Sequence, residues 1–197
     1  IFDGNGYTIS NLRQNTAGLY NGLFGFTDGA TIKNLTIEGA NISALYAGGI
    51  VVTSAKGTEF MNISVKNSKL ELTRGNVIPG LLTLFTDGLS AGAIAGEASA
   101  GTLMYNCESV DTVVKLDSTH AAGALAVSNY YAGGLVGVMK DSHIEYSRVL
   151  SEKSVESGKV YLTFQSVANI VNNPRSYVGG IAGKMEENTS VTDSFSN

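Results

Sequence analysis

The chain has 197 residues, 43% hydrophobic and only 15% charged, with 17 acids against 13 bases for a net charge of −4. That is enough chain for one sizeable domain, or two small ones, with an apolar core. No Lys/Arg cluster supplies the electrostatic footprint of a nucleic-acid or anionic-membrane surface, and no apolar run approaches the roughly 20 residues of a membrane-spanning helix.

Twenty-four glycines against two prolines describe a chain that turns often and packs its backbone closely; a disordered linker would carry more proline and charge. Cys107 is the single cysteine, so a disulfide framework is excluded and a small core residue is expected there. The abrupt opening at Ile1 and close at Asn197 are read as those of a segment of a larger protein.

In chain order, IFDGNGYTISNL (1–12) comes first. Its Asp3-Gly4-Asn5-Gly6 has the look of a calcium turn but lacks the spaced acids and later Glu of an EF-hand loop, so a tight β-turn is expected. NGLFG (21–25) leads into TIKNLTIEGANI (31–42), and AGGIVV (47–52) into EFMNISVKNSKLEL (59–72). AGAIAG (91–96) precedes TLMYNCESVDTVVKL (102–116), AGGLVG (132–137) precedes HIEYSRVL (143–150), and VGGIAG (178–183) precedes SVTDSFSN (190–197). Each second segment alternates apolar and polar residues between Gly, Asn, Asp and Ser, which are strand signals. No helical periodicity competes with them.

A phosphate-cradling loop would occur once, whereas a Gly-small-aliphatic-x-Gly core written five times is architecture. Short strands and turns recurring in this way predict an all-β fold, the stacked turns of a parallel β-solenoid spanning 1–197 as one unit of about five repeats. The glycines Gly22, Gly25, Gly48, Gly49, Gly92, Gly96, Gly133, Gly134, Gly137, Gly179, Gly180 and Gly183 are the structural positions of the repeat. They are expected to allow φ > 0 and close approach of neighbouring turns. Val52 stands where the final Gly is expected, and Ala93 where the second is. Leu23, Ile50, Ile94, Leu135 and Ile181 are expected to stack inward. Asn34, Asn62 and Asn106 occupy matching places, suited to αL geometry and to side-chain ladders. The second-position residues 22, 49, 93, 134 and 180 are separated by 27, 44, 41 and 46 residues. The excess over the shortest step falls in 73–89, 117–130 and 158–176, predicted to emerge on one side as loops or added strands.

The GG-aliphatic-x-G cores followed by I-x-N strands resemble the GLUG motif of bacterial surface and secreted proteins, and FDGNGYTISNL is similar to the segment that opens such arrays. The resemblance covers essentially the whole chain. It implies a right-handed β-solenoid in large secreted or wall-attached proteins, some of them zinc peptidases that cleave immunoglobulin A, where the motif lies in a non-catalytic region.

Residues with chemistry are scattered. AGGLVG lacks the glycine spacing and the helix of a dinucleotide fingerprint. His120 and His143 have no partner at metal-ligand spacing, and Ser147 and Ser151 near His143 lack an orienting acid. Parallel β-helices host carbohydrate-cleaving enzymes that pair carboxylates. Here Glu38, Glu59, Glu71, Glu97, Glu108, Asp111 and Glu145 fall at differing phases. Four sequons, at Asn34, Asn41, Asn62 and Asn188, read as strand and turn residues. Tyr130, Tyr131, Tyr161 and Tyr177, with Phe164, form a candidate strip for a host or matrix protein or a glycan; the alternative is that the tyrosines cap corners of the fold.

The expected function is a non-enzymatic extracellular or cell-surface module, an adhesin stalk or ligand-presenting spacer, with no catalytic, cofactor or metal residue assigned. Its other expected partner is the remainder of its own chain. The alternatives are an accessory region of a secreted zinc peptidase and a carbohydrate-active β-helix.

Overall fold

The structure is a computed structural model that describes residues 1–14, 20–45, 47–73, 89–117, 129–152, 159–163 and 175–197. Among these every element is a strand, and the strands pair in parallel within four sheets, here A to D. Sheet A has ten strands and the others five each. One repeat passes through D at Val52–Lys56, A at Glu59–Lys66, B at Lys69–Thr73 and C at Leu89–Gly92. The next begins in D at Ala95–Ser99. The predicted all-β stack of repeats is present.

Local sequence explains the corners. In TIKNLTIEGANI the alternation is interrupted twice, since Ile32 and Leu35 both point inward, as do Ile37 and Ala40. Asn34 and Gly39 sit between these pairs at φ 54° and 65°. A left-handed residue turns the chain and resets which side chains face in. Asn62 and Asn67 do the same one repeat later, at φ 56° and 49°. The sites favour Asn because its short amide tolerates αL. The Asn34–Asn62–Asn106 ladder is present: the Asn62 amide donates to Asn34 Oδ1 at 2.9 Å and the Asn106 amide to Asn62 Oδ1 at 2.8 Å.

Inward residues stack from repeat to repeat. Ile32, Phe60, Met104, Ile144 and Val191 stand in one column of sheet A. Ile42, Leu70, Val114 and Val160 stand in one column of sheet B. Hydroxyls stack inside too: Cys107 N–H donates to Ser147 Oγ, and Ser147 N–H to Ser194 Oγ, both at 3.0 Å. Buried backbone donors at that bend are thereby satisfied.

The glycine cores make the sharp reversal from sheet C to sheet D, and of the two expected reasons, φ > 0 and close approach, only the second holds. None of their glycines is at positive φ; among the described residues the left-handed glycines are Gly6, Gly29, Gly39, Gly57 and Gly101, all outside the cores. What the cores require is missing volume. A Cβ on Gly49, Gly92, Gly133 or Gly179 would lie 1.9–2.3 Å from a carbonyl oxygen three residues on. One on Gly137 or Gly183 would strike the sheet C backbone at Ala91 or Ala132. Gly25 differs: nothing lies within 4 Å of its Cβ position.

Register corrects the alignment of the second copy. Gly49 pairs with Gly92, and Gly92 with Gly133, so Gly49-Ile50-Val51-Val52-Thr53 matches Gly133-Gly134-Leu135-Val136-Gly137. Thr53, not Val52, replaces the final glycine, and Val51 rather than Ile50 lines up with Ile94 and Leu135. Thr53 fits because its hydroxyl donates to Asn21 O at 2.9 Å, in a first repeat one residue shorter at this turn. Of the predicted stack, Ile50, Ile94 and Leu135 are fully buried, while Leu23 and Ile181 are only partly covered, being at the two ends.

The column of residues 32, 60, 104, 144 and 191 advances in steps of 28, 44, 40 and 47. The last step lengthens in part between sheets A and B, where Val149 to Val160 spans 11 residues against 5 for the paired Ser109 to Val114. Most of the excess over 28 is placed consistently: segments 74–88, 118–128 and 164–174 each join a strand of sheet B to the next strand of sheet C. Their own course lies outside the described residues, so the predicted emergence on one side is anchored at its base only. The third insertion is shorter than expected. Val160–Thr163, inside the predicted 158–176, is a strand of sheet B paired with Val114–Asp117.

Candidate functional site

The outward faces of sheets A and B carry most of the charge, and their ion pairs bridge repeats. On sheet A, Glu108 is a hub. It accepts from Ser64 Oγ at 2.6 Å and from Arg148 Nε and Nη2 at 3.0 and 2.7 Å, with Lys66 Nζ at 3.1 Å. Partial burial pushes its pKa up, but the donors from Ser64, Arg148 and Lys66 outweigh burial and hold the carboxyl below its ordinary value. On sheet B, Glu71 and Asp117 converge on Lys115, whose Nζ is 2.7 and 2.8 Å from them. Asp117 and Glu71 together raise the Lys115 pKa, while Glu71, despite burial, is held low by Lys115 and Lys69. Partners Ser64, Glu71 and Glu108 lie 44 or 40 residues from the groups they meet.

General acid catalysis needs a carboxyl whose pKa is raised towards the working pH. Glu71 and Glu108 are shifted the other way. The remaining candidate acids do not gather. Glu38 accepts from Asn67 Nδ2 at 3.0 Å, Glu97 from Ser90 Oγ at 3.1 Å on sheet D, and Asp111 from the backbone N–H of Glu152 at 2.8 Å. Glu59 and Glu145 stand apart on sheet A. Among the described residues no group of three or more His, Cys, Asp or Glu is placed to hold a metal.

The linkage of Glu108 gives a pH prediction. Its folded-state pKa is depressed, so its contribution is complete above the unfolded value of about 4.3 and is lost as pH falls through the folded value. Glu108→Gln should therefore lower stability at pH 7 and converge with wild type in acid. Urea unfolding of both proteins at pH 7 and pH 3 checks this, and a constant difference would refute the role.

His143 is exposed on sheet A, its Nδ1 2.9 Å from Ser190 Oγ. Ser147 is interior, its hydroxyl donating to Glu145 O at 2.9 Å, and the Ser151 backbone N–H donates to Asn197 Oδ1 at 3.0 Å. His120 lies outside the described residues. Asp3 forms the expected turn: its Oδ1 accepts from Asn5 N–H at 2.9 Å and from the Asn34 amide at 3.1 Å, and Lys33 Nζ is 3.3 Å from Oδ2. Both oxygens face donors, and Asp3 caps the Asn ladder. Of the sequon residues, Asn34 and Asn62 belong to that ladder, Asn41 to a strand, and Asn188 to a corner at φ 54°.

Cys107 is 1% exposed, and burial pushes its thiol pKa up to about 12. Thiolate is the reactive form. Ellman's reagent should leave the native protein unmodified over hours and titrate one thiol in denaturant; rapid native labelling would contradict this burial.

The predicted tyrosine strip is not assembled. Tyr130 is 4% exposed and part of the core, because the first Tyr of NYYAG takes the inward phase. Tyr131 points outward but is covered by the next repeat: Tyr177 stacks on it at 5.3 Å, and Lys184 Nζ sits 5.2 Å from its ring. Tyr161 is exposed on sheet B beside Lys115, and Phe164 lies outside the described residues. A different pair emerges on sheet A. Tyr105 and Tyr146, 41% and 55% exposed, meet edge to face with ring centroids 5.4 Å apart. The signal for it was in the sequence, since IEYSR carries Tyr where FMNIS and MYNCE carry Asn.

The fold and these surfaces define a class, an all-β stack of parallel sheets whose polar side chains tie neighbouring repeats together. No family model, curated protein or solved structure matches the chain.

Proposed function

We propose that the chain is a right-handed parallel β-solenoid serving as a non-enzymatic spacer or adhesin stalk of a bacterial surface or secreted protein. In this reading the B-to-C segments 74–88, 118–128 and 164–174 present themselves to a host or matrix protein or a glycan, and further parts of the same protein continue from the stack. The resemblance of the glycine cores to the GLUG motif supports the setting.

The observation that carries the reading is how charge is used. Glu71, Lys115, Glu108 and Arg148, the residues best suited to chemistry, are locked into inter-repeat pairs, and the pKa shifts of Glu71, Glu108 and Lys115 keep those three ionised. Such a surface stiffens a frame. Variable segments on a stacked core are the natural place for recognition.

Small-angle scattering tests the spacer. The chain should scatter as an elongated rigid particle, unchanged when the three segments are replaced by short Gly/Ser loops. Collapse of that variant would show that the segments belong to the frame. Polysaccharide cleavage by the purified chain, abolished by Glu71→Gln, would overturn the non-enzymatic reading.

A further inference from the structure

We propose that Tyr105 and Tyr146 form a binding site for a neutral, hydroxyl-rich glycan on sheet A. The site is independent of the B-to-C segments and stands whether or not they carry a partner.

The argument starts from one residue out of place. At the bend of sheet A the left-handed position is held by Asn34, Asn62, Asn106 and Asp193, at φ 48–56°. Tyr146 holds it in the fourth of these repeats, at φ 50°. A bulky side chain is disfavoured there, and such outliers gather at functional positions. Tyr146 also ends the amide ladder that runs through Asn62 and Asn106. Neither cost is offset by burial, because the ring is more than half exposed. Tyr105, itself exposed, is set against it edge to face.

The surroundings select the ligand. Asn106 is exposed beside the pair, Glu145 stands next to Tyr105 in the adjacent strand, and Asp193 occupies the bend beyond Tyr146. An apolar ring face bordered by an amide and two carboxylates suits the alternating C–H and hydroxyl surface of a sugar. The cores of protein interfaces are depleted of charge, which disfavours a protein on this spot. The two carboxylates repel sulfated or acidic sugars.

The test is an NMR titration of the intact chain with cellohexaose, with chitohexaose and with a sulfated heparin hexasaccharide. A neutral hexasaccharide should shift the ring signals of Tyr105 and Tyr146 saturably, and the sulfated one should bind at least tenfold more weakly. Tyr146→Asn should weaken binding at least tenfold while melting at or above wild type, because Asn accepts αL and extends the ladder. Tyr105→Ala, at an exposed strand end, should also lose binding and carries the test if Tyr146→Asn fails to fold. The proposal is overturned if neither neutral sugar moves these signals, if binding survives Tyr105→Ala, or if the sulfated sugar binds as well. Tyr146→Asn that melts lower and binds equally would make the pair a structural cap and equally overturn it.

Discussion

Gly134→Val should leave the protein largely unfolded, or lower its stability by roughly 3 kcal/mol or more, while Gly25→Val should melt close to wild type. A Cβ at Gly134 would lie 2.1 Å from Gly180 O and 2.7 Å from a Val149 methyl. The carbonyl belongs to the next repeat's backbone and the methyl to the packed interior, so relief requires neighbouring repeats to move apart. Overpacking a filled core typically costs about 1–3 kcal/mol, and a backbone clash lies at or beyond the upper end. Gly25 has open space at its Cβ and no positive φ. Thermal melts of the two variants decide the matter; similar melting temperatures would show that the turn can widen.

Leu135→Ala should destabilise by about 2–5 kcal/mol, the range for truncating a buried aliphatic side chain. Leu135 is 0% exposed, with Ile94 before it and Ile181 after it in the stack, and its backbone carbonyl accepts from Ile94 N–H at 2.8 Å. That hydrogen bond holds the repeats in place, so the cavity cannot close by sliding one past the other. Ile181→Ala is the internal comparison. Ile181 packs against the same core from a partly covered position, so it should cost clearly less. Equal losses in urea unfolding would mean that the end repeat is as well packed as the middle.

The repeat was legible because its causes are local. Alternation across Phe60-Met61, Ile63-Ser64-Val65 and Leu70-Glu71-Leu72 sets which side chains face in: Phe60, Ile63, Val65, Leu70 and Leu72 are fully buried and Met61 is only partly covered. Asn62 and Asn67 mark corners through a conformational preference that belongs to Asn itself. The glycine cores announce a place where side chains are not tolerated. Only close approach operates there and φ > 0 does not, a choice the sequence leaves open because lack of a Cβ serves both purposes.

What the tertiary structure alone decided depends on which repeat lies beside which. The basic step is 28 residues, but later steps are lengthened unequally, so neighbours in space are 40 to 47 residues apart in the chain. That hid the replacement of a core glycine by Thr53, the strand at Val160–Thr163, and the pairing of Glu71 with Lys115. It also hid the cover that Tyr177 places over Tyr131, and the meeting of Tyr105 with Tyr146. The sequence by itself determined the strands, corners and inward phases, since each follows from a residue and its immediate neighbours. Partners and exposure were decided by stacking, since a side chain's neighbour in the next repeat is set by inter-strand hydrogen bonds across an insertion of arbitrary length.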